Sequence, residues 1–358
     1  MIAPHNGRMN FQKNISCFLL MTGTALGLVH SASAAEPYKV LKTSQTMGTG
    51  GIDYVYAEND GRRLYIPRGN QVMVFDLDTL KAVGTITNSG GHGVAVDPKT
   101  HHGFSSMNPV TMFDTKTLAV ITNITVEGRP DGILFEPATE RVYVFSHRAP
   151  NVTVLDPKDG AIVGTIDLDG APEQAASDEK GRVYVTLEDK DNIAVVDAKT
   201  LKVTAHYPLG GKGGGPAGLG FDAKNHLLFA MCHEPATCVV LSSDDGKILT
   251  TLPIGQGTDG GGFNPVTMEA FSSQSDGTLT IIKETSPTSF EVEQTVTTKS
   301  RAKTCTLDSK NNHIIVITTE AAPTPAGATP PPPPAAPVNG RRGGRGGPGF
   351  LDIMVIGR

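Results

Sequence analysis

The chain has no tryptophan, and aromatic residues make up only 6% of its 358 positions. A core must therefore be assembled from many Val, Ile and Leu side chains with some Tyr and Phe, not around a few large rings. Apolar residues at helical spacing are nearly missing, which argues against helical bundles and against alternating α/β folds. Basic excess is missing too. A net charge of −5 gives no electrostatic footing for nucleic acid. There is no G-x-S-x-G elbow and no HExxH pair, and the glycine-rich stretch LGGKGGGPAGLG (209–220) does not satisfy G-x-x-x-x-G-K-[ST]. That stretch reads as a flexible loop. The most apolar run, CFLLMTGTALGLV, is too short to span a bilayer.

That run has the marks of an address. It follows Lys13 and is followed by Ala32-Ser33-Ala34, giving a basic flank, an apolar stretch and small residues before a cut. Residues 1–34 are expected to be a secretory signal, read from Met1 or Met9, with a mature chain of residues 35–358 that is periplasmic or secreted. Cleavage removes Arg8, Lys13 and no acid, so the mature chain is more acidic still. Cys17 leaves with the signal. Of the remaining cysteines, Cys232 and Cys238 flank a turn in MCHEPATC and are expected to form a disulfide in an oxidising compartment, with Cys305 a buried free thiol.

What the chain has in quantity is glycine, 41 residues, and a repeated unit. IDYVYAEND, GHGVAVDPK, PDGILFEPA, PEQAASDEK, PAGLGFDAK, TDGGGFNPV and AKTCTLDSK recur with anchor residues at 53, 92, 131, 173, 217, 259 and 303. Successive anchors are 39 to 44 residues apart. Each unit alternates with period two and reads as four short strands joined by turns; in the third these are GILFEP, RVYVFS, NVTVLD and AIVGTIDL. Seven such units predict an all-β, seven-bladed β-propeller of four antiparallel strands per blade. The last unit lacks its fourth strand, and the orphan YKVLKTSQTM at 38–47 should supply it beside LDIMVIG, closing the ring. A Pro/Gly-rich tract at 321–349 is inserted in that last blade; its composition cannot bury a core.

RVYVT, NIAVVDAKTLKV and RPDGILFEP resemble the YVTN β-propeller repeats of exported, YncE-like bacterial proteins, over essentially the whole mature chain. The resemblance implies a periplasmic propeller, often without catalysis. A member of the family has been linked to DNA, but no basic stripe here supports that. GFSSMNPVTMFD, LFAMCHEPATCVVLS and AFSSQSDGTLTIIK, in the second, fifth and sixth units, depart from the pattern.

In a propeller the first strand of each blade lines the channel, so the anchors should ring one mouth: Asp53, His92, Asp131, Glu173, Ala217, Asp259 and Lys303. Turns between the second and third strands add His147, Glu188 and His233 to that face. Acids alternating with bases suit a self-satisfied network tying blades together. A ligand or a divalent metal at Asp131 and Glu173, the acids with fewest basic neighbours, is the other reading. Ser105–Ser106 and Ser272–Ser273 read as small packing residues. These features point to a monomeric, non-catalytic binding or scaffold protein of the cell envelope, recognising a protein or small ligand. The alternatives are a metal-dependent, lactonase-like hydrolase on the same face, and nucleic-acid binding through Arg341, Arg342 and Arg345.

Overall fold

A computed structural model describes Met1 and residues 36–302, 304–322 and 348–358. The expected signal segment beyond Met1, together with Lys303 and the Pro/Gly-rich tract from 323 to 347 with its arginines, lies outside the described residues. Pro37–Arg358 forms one compact unit. It contains seven four-stranded antiparallel sheets, and regular helix among the described residues is confined to one 3₁₀ turn, Glu188–Lys190. This is the expected seven-bladed propeller, with strands a to d running outward in each blade. No helix is long and apolar enough to cross a membrane among the described residues.

Closure follows the expected route. In blade seven, strands Thr304–Asp308, His313–Ala321 and Gly349–Gly357 are completed on the outside by Lys39–Gly48. The last two pair antiparallel from Lys39 opposite Gly357 to Gly48 opposite Gly349. Arg358 then reaches into blade six. Its Nη2 lies 2.7 Å from Glu269 and 2.6 Å from Glu293, and its guanidinium sits 4.5 Å above the Tyr38 ring. The Tyr38 hydroxyl donates to Glu269 at 2.5 Å.

Alternation along each strand sends side chains to both faces of a blade, and each face meets a neighbour. The result is an apolar core at each of the seven blade junctions. Tyr65, Tyr143, Tyr184, Phe104 and Phe229, all on strand b, are fully buried in them, which is what a chain without tryptophan has to use. Turns are built locally. An acid or amide ending strand a accepts the backbone N–H groups that follow it, as Asp97 does from Lys99 at 2.9 Å and Asn264 from Val266 at 3.0 Å. The D-x-x-T turns between strands c and d repeat the device at Asp76–Thr79, Asp114–Thr117 and Asp197–Thr200.

Two expectations change. Cys232, Cys238 and Cys305 are all free. Cys232 stands opposite Thr237, and Cys238 opposite Met231. That offset turns the two thiols to opposite faces of the sheet, Cys232 into the core shared with blade four and Cys238 into the core shared with blade six. The paired serines also do more than pack: Ser105 Oγ donates to the carbonyls of Ser89 and Gly90, and Ser106 Oγ accepts the Gly93 N–H at 2.7 Å. They anchor the loop that delivers strand a of their own blade to the channel.

Candidate functional site

The anchors are aimed by backbone irregularity at the head of strand a. In blade three Pro130 pairs with Ser146 and Ile133 with Val144, so Asp131 and Gly132 together face one residue. Blade four does the same around Glu173 and Gln174, between Pro172–Leu187 and Ala175–Val185. An extra residue in a strand re-aims the side chains beside it. In blades five and six, strands a approach so closely that a Cβ at Gly218 would lie 2.7 Å from the Gly260 carbonyl carbon and one at Gly220 2.7 Å from the Gly262 carbonyl oxygen, which accounts for the glycines of PAGLGFD.

Five of the expected residues form one chain of contacts. His92 Nδ1 is 2.6 Å from Asp53 and 3.2 Å from Asp131. His147 Nε2 is 3.0 Å from the other Asp131 oxygen and 3.1 Å from Glu173. The Tyr54 hydroxyl donates to the second Glu173 oxygen at 3.2 Å. Tyr54 follows Asp53 in sequence, so the circuit closes on itself through blades one, two, three and four. The His92 end is the more open, 35% exposed against 12% for His147.

Charge alternates along the circuit. Hydrogen bonds to Asp131 and then Glu173 push His147 up to about 10, against the opposing effect of burial. His92 is raised as well, chiefly by its hydrogen bond to Asp53. Burial opposes ionisation of Asp131, but the His147 hydrogen bond and the charges of His92, His147 and Arg129 outweigh it, and its carboxyl is held below the usual range. Glu173 is raised: burial and the charges of Asp131 and Glu188 together exceed the help it gets from His147. Burial, reinforced by Glu173, keeps the Tyr54 phenol well above its ordinary value, so it remains a donor. Asp131 and Glu173 are thus not equally short of basic neighbours, because Asp131 touches two imidazoles and Glu173 shares only one.

The other expected residues lie around this circuit. Glu188 acts on Glu173, and Asp259 on Tyr54, through charge. His233 turns to the loop before strand a of its own blade: its backbone N–H bonds the Gly214 carbonyl at 3.0 Å and its ring lies against Gly215. Thr304 Oγ1 donates to the Asp53 carbonyl, tying blade seven to blade one at this level.

Sequence reasoning missed Tyr54 and Gln174. Gln174 reaches from blade four to blades five and six: its Oε1 accepts the N–H of Leu219 at 3.1 Å and of Gly261 at 3.0 Å, and its Nε2 donates to the Gly261 carbonyl at 2.8 Å. It serves backbone groups on the inner edges of strands that have no partner strand. A signal was present. The residue after each anchor is Gly93, Gly132, Gly218 and Gly260 in four units, and the units carrying Tyr54 and Gln174 there break that habit.

Beyond these bars lies a cavity of about 830 Å³ along the axis. Tyr54, Glu173 and Gln174 bound one end, and it reaches the a–b turns at Pro98, Pro137 and Pro265. Two arrangements of ligating atoms also occur, Asp53–His92–Asp131 and Asp131–His147–Glu173, each with its atoms within 4.8 Å of one another. A metal at the second would use both expected acids together with His147.

No protein-family model matches the chain, and no curated protein matches it either. Among solved structures it is similar to a chain from the "Crystal Structure of Mitotic Checkpoint Complex", at 10% identity and a TM-score of 0.66, covering 84% of this chain and 95% of that one. That likeness extends to the propeller fold alone.

Proposed function

We propose that this chain is an exported, non-catalytic binding or scaffold protein of the bacterial cell envelope, a propeller of the YVTN, YncE-like kind that takes its ligand on the channel axis. The observation that carries this reading is the closed circuit itself. Its carboxylates and imidazoles pair with one another, holding four blades in register beside a preformed axial cavity. A rigid ring with a shaped recess is the equipment of a binding module. The propeller neighbour comes from a complex, in keeping with use of the fold as an assembly surface. Fractionation of the producing cell, with N-terminal sequencing of the product, tests export. A full-length chain retained in the cytoplasm would overturn the envelope role.

A second reading, a metal-dependent hydrolase, draws on the Asp131–His147–Glu173 arrangement. A metal there must displace the proton that His147 holds up to about 10. Melts with and without Zn²⁺ or Mn²⁺, alongside elemental analysis, decide between the two. A metal-dependent upward shift that Glu173→Ala abolishes favours the hydrolase, and an unchanged melt favours the scaffold.

A further inference from the structure

We propose that the axial cavity is a cup for a small organic cation, its apolar body held among Phe135, Phe221, Phe263 and Leu307 and its ammonium head directed at Glu173. This rests on the axial-binding reading above and adds the chemical class of the ligand.

The walls come from one position of the repeat. The fourth residue after the anchor is Phe135, Phe221, Phe263 and Leu307 in four blades, and all four line the cavity. Phe135, Phe221 and Leu307 are only partly buried: each packs against the core shared with a neighbouring blade and also lines the cavity. Two rings are braced from behind. Phe263 stacks on Phe229 with centroids 5.4 Å apart, and Phe221 packs against Tyr184 at the same separation. Such walls do not have to be ordered by the ligand, which lowers the cost of binding. About 830 Å³ lies within the range of small-molecule sites, where apolar walls and a few placed polar groups are the rule.

The end of the cup sets the sign of the head group. Glu173 shares its imidazole neighbour with Asp131, its other partner is the neutral Tyr54 hydroxyl, and Glu188 adds negative charge nearby. A carboxylate head would meet this charge unfavourably. A hydroxyl would be tolerated without gain. An ammonium group supplies positive charge and further N–H donors to a carboxylate with acceptor capacity left. The aromatic walls also accept a cation near their faces.

The test is calorimetric titration of the mature protein with 2-phenylethylammonium, 2-phenylethanol and 3-phenylpropionate, which share a phenyl body and differ in the head. The ammonium compound should bind about tenfold more tightly than the alcohol, and the carboxylate should give no heat. Glu173→Gln should bring the ammonium-to-alcohol ratio close to one while alcohol affinity is kept. Because Glu173 also ties blades together, Leu307→Trp serves as an independent variant: it narrows the cup, leaves the circuit intact and should abolish binding of both probes. Equal affinity of alcohol and ammonium in the parent would overturn the cation assignment and leave axial binding standing. Binding indifferent to Leu307→Trp, or no binding by any probe, would overturn the cup, while the envelope role is judged separately by fractionation.

Discussion

The Tyr54 hydroxyl, on blade one, donates at 3.2 Å to Glu173, on blade four, a residue 119 positions away. That bond closes the circuit across the ring. Tyr54→Phe removes one hydrogen bond and leaves His147 in place, so it should cost about 1 kcal/mol. His147→Ala leaves Asp131 and Glu173 facing each other without the cation between them and should cost about 3 kcal/mol. Urea unfolding of the two variants gives the ranking, and equal losses would show that His147 does not join the acids.

The same circuit makes stability depend on pH. His147 has its folded value raised to about 10, so its contribution is complete below the ordinary imidazole value and is lost as pH rises through about 10. Asp131 is depressed, so its contribution is present above the ordinary aspartate range and is lost as pH falls through its folded value. Glu173, being raised, opposes this at the acid end. Denaturant melts between pH 6 and 10 should show a decline that His147→Gln flattens.

Glu284, on strand c of blade six (Thr278–Ser286), is 4% exposed and lies beside Asp222 of blade five. Burial, and then the Asp222 charge, raise it to about 7. For an acid raised in this way, stability falls as pH climbs from the ordinary glutamate value to about 7 and is level above that. Glu284→Gln should therefore stabilise the protein by about 1 kcal/mol above pH 7 and by little below pH 4.5. Melting temperatures of parent and variant at the two extremes measure the difference.

Burial pushes the Cys232 thiol up to about 12 and Cys305 to about 11. Little thiolate forms at neutral pH, so a maleimide should label the native protein slowly. In denaturant Cys232, Cys238 and Cys305 should all react without reductant, as intact-mass measurement would show. A Cys232–Cys238 bond in material from the periplasm would contradict the register that parts them.

Removing residues 37–48 takes away the outer strand of blade seven, bares the Gly349–Gly357 edge and deletes the Tyr38 that Arg358 covers. An exposed edge strand invites pairing between molecules. The shortened chain should elute as aggregates in size-exclusion chromatography. Arg358→Ala, which loosens the tie to blade six and uncovers the Tyr38 ring but leaves the outer strand in place, should not aggregate and should cost about 1 kcal/mol.

The blades and their closure were legible in the amino-acid order because their causes are local. Strands that pair within a blade are neighbours in sequence, period-two alternation marks them, and units recurring every 39 to 44 residues can be counted. The missing fourth strand and the orphan at 38–47 followed from that count. The anchors, too, could be read as one ring of residues. Which of them touch could not. His92 joins Asp53 and Asp131, and His147 joins Asp131 and Glu173, only once bulges have turned the side chains and the blades have taken their places around the axis. The same holds for Gln174 crossing to Gly261, for the two thiols turning to opposite faces, and for the cup opening toward the a–b turns. Alternation and turn chemistry are written by adjacent residues, whereas contacts between blades depend on register and on the packing of one sheet against the next, which only the assembled ring supplies.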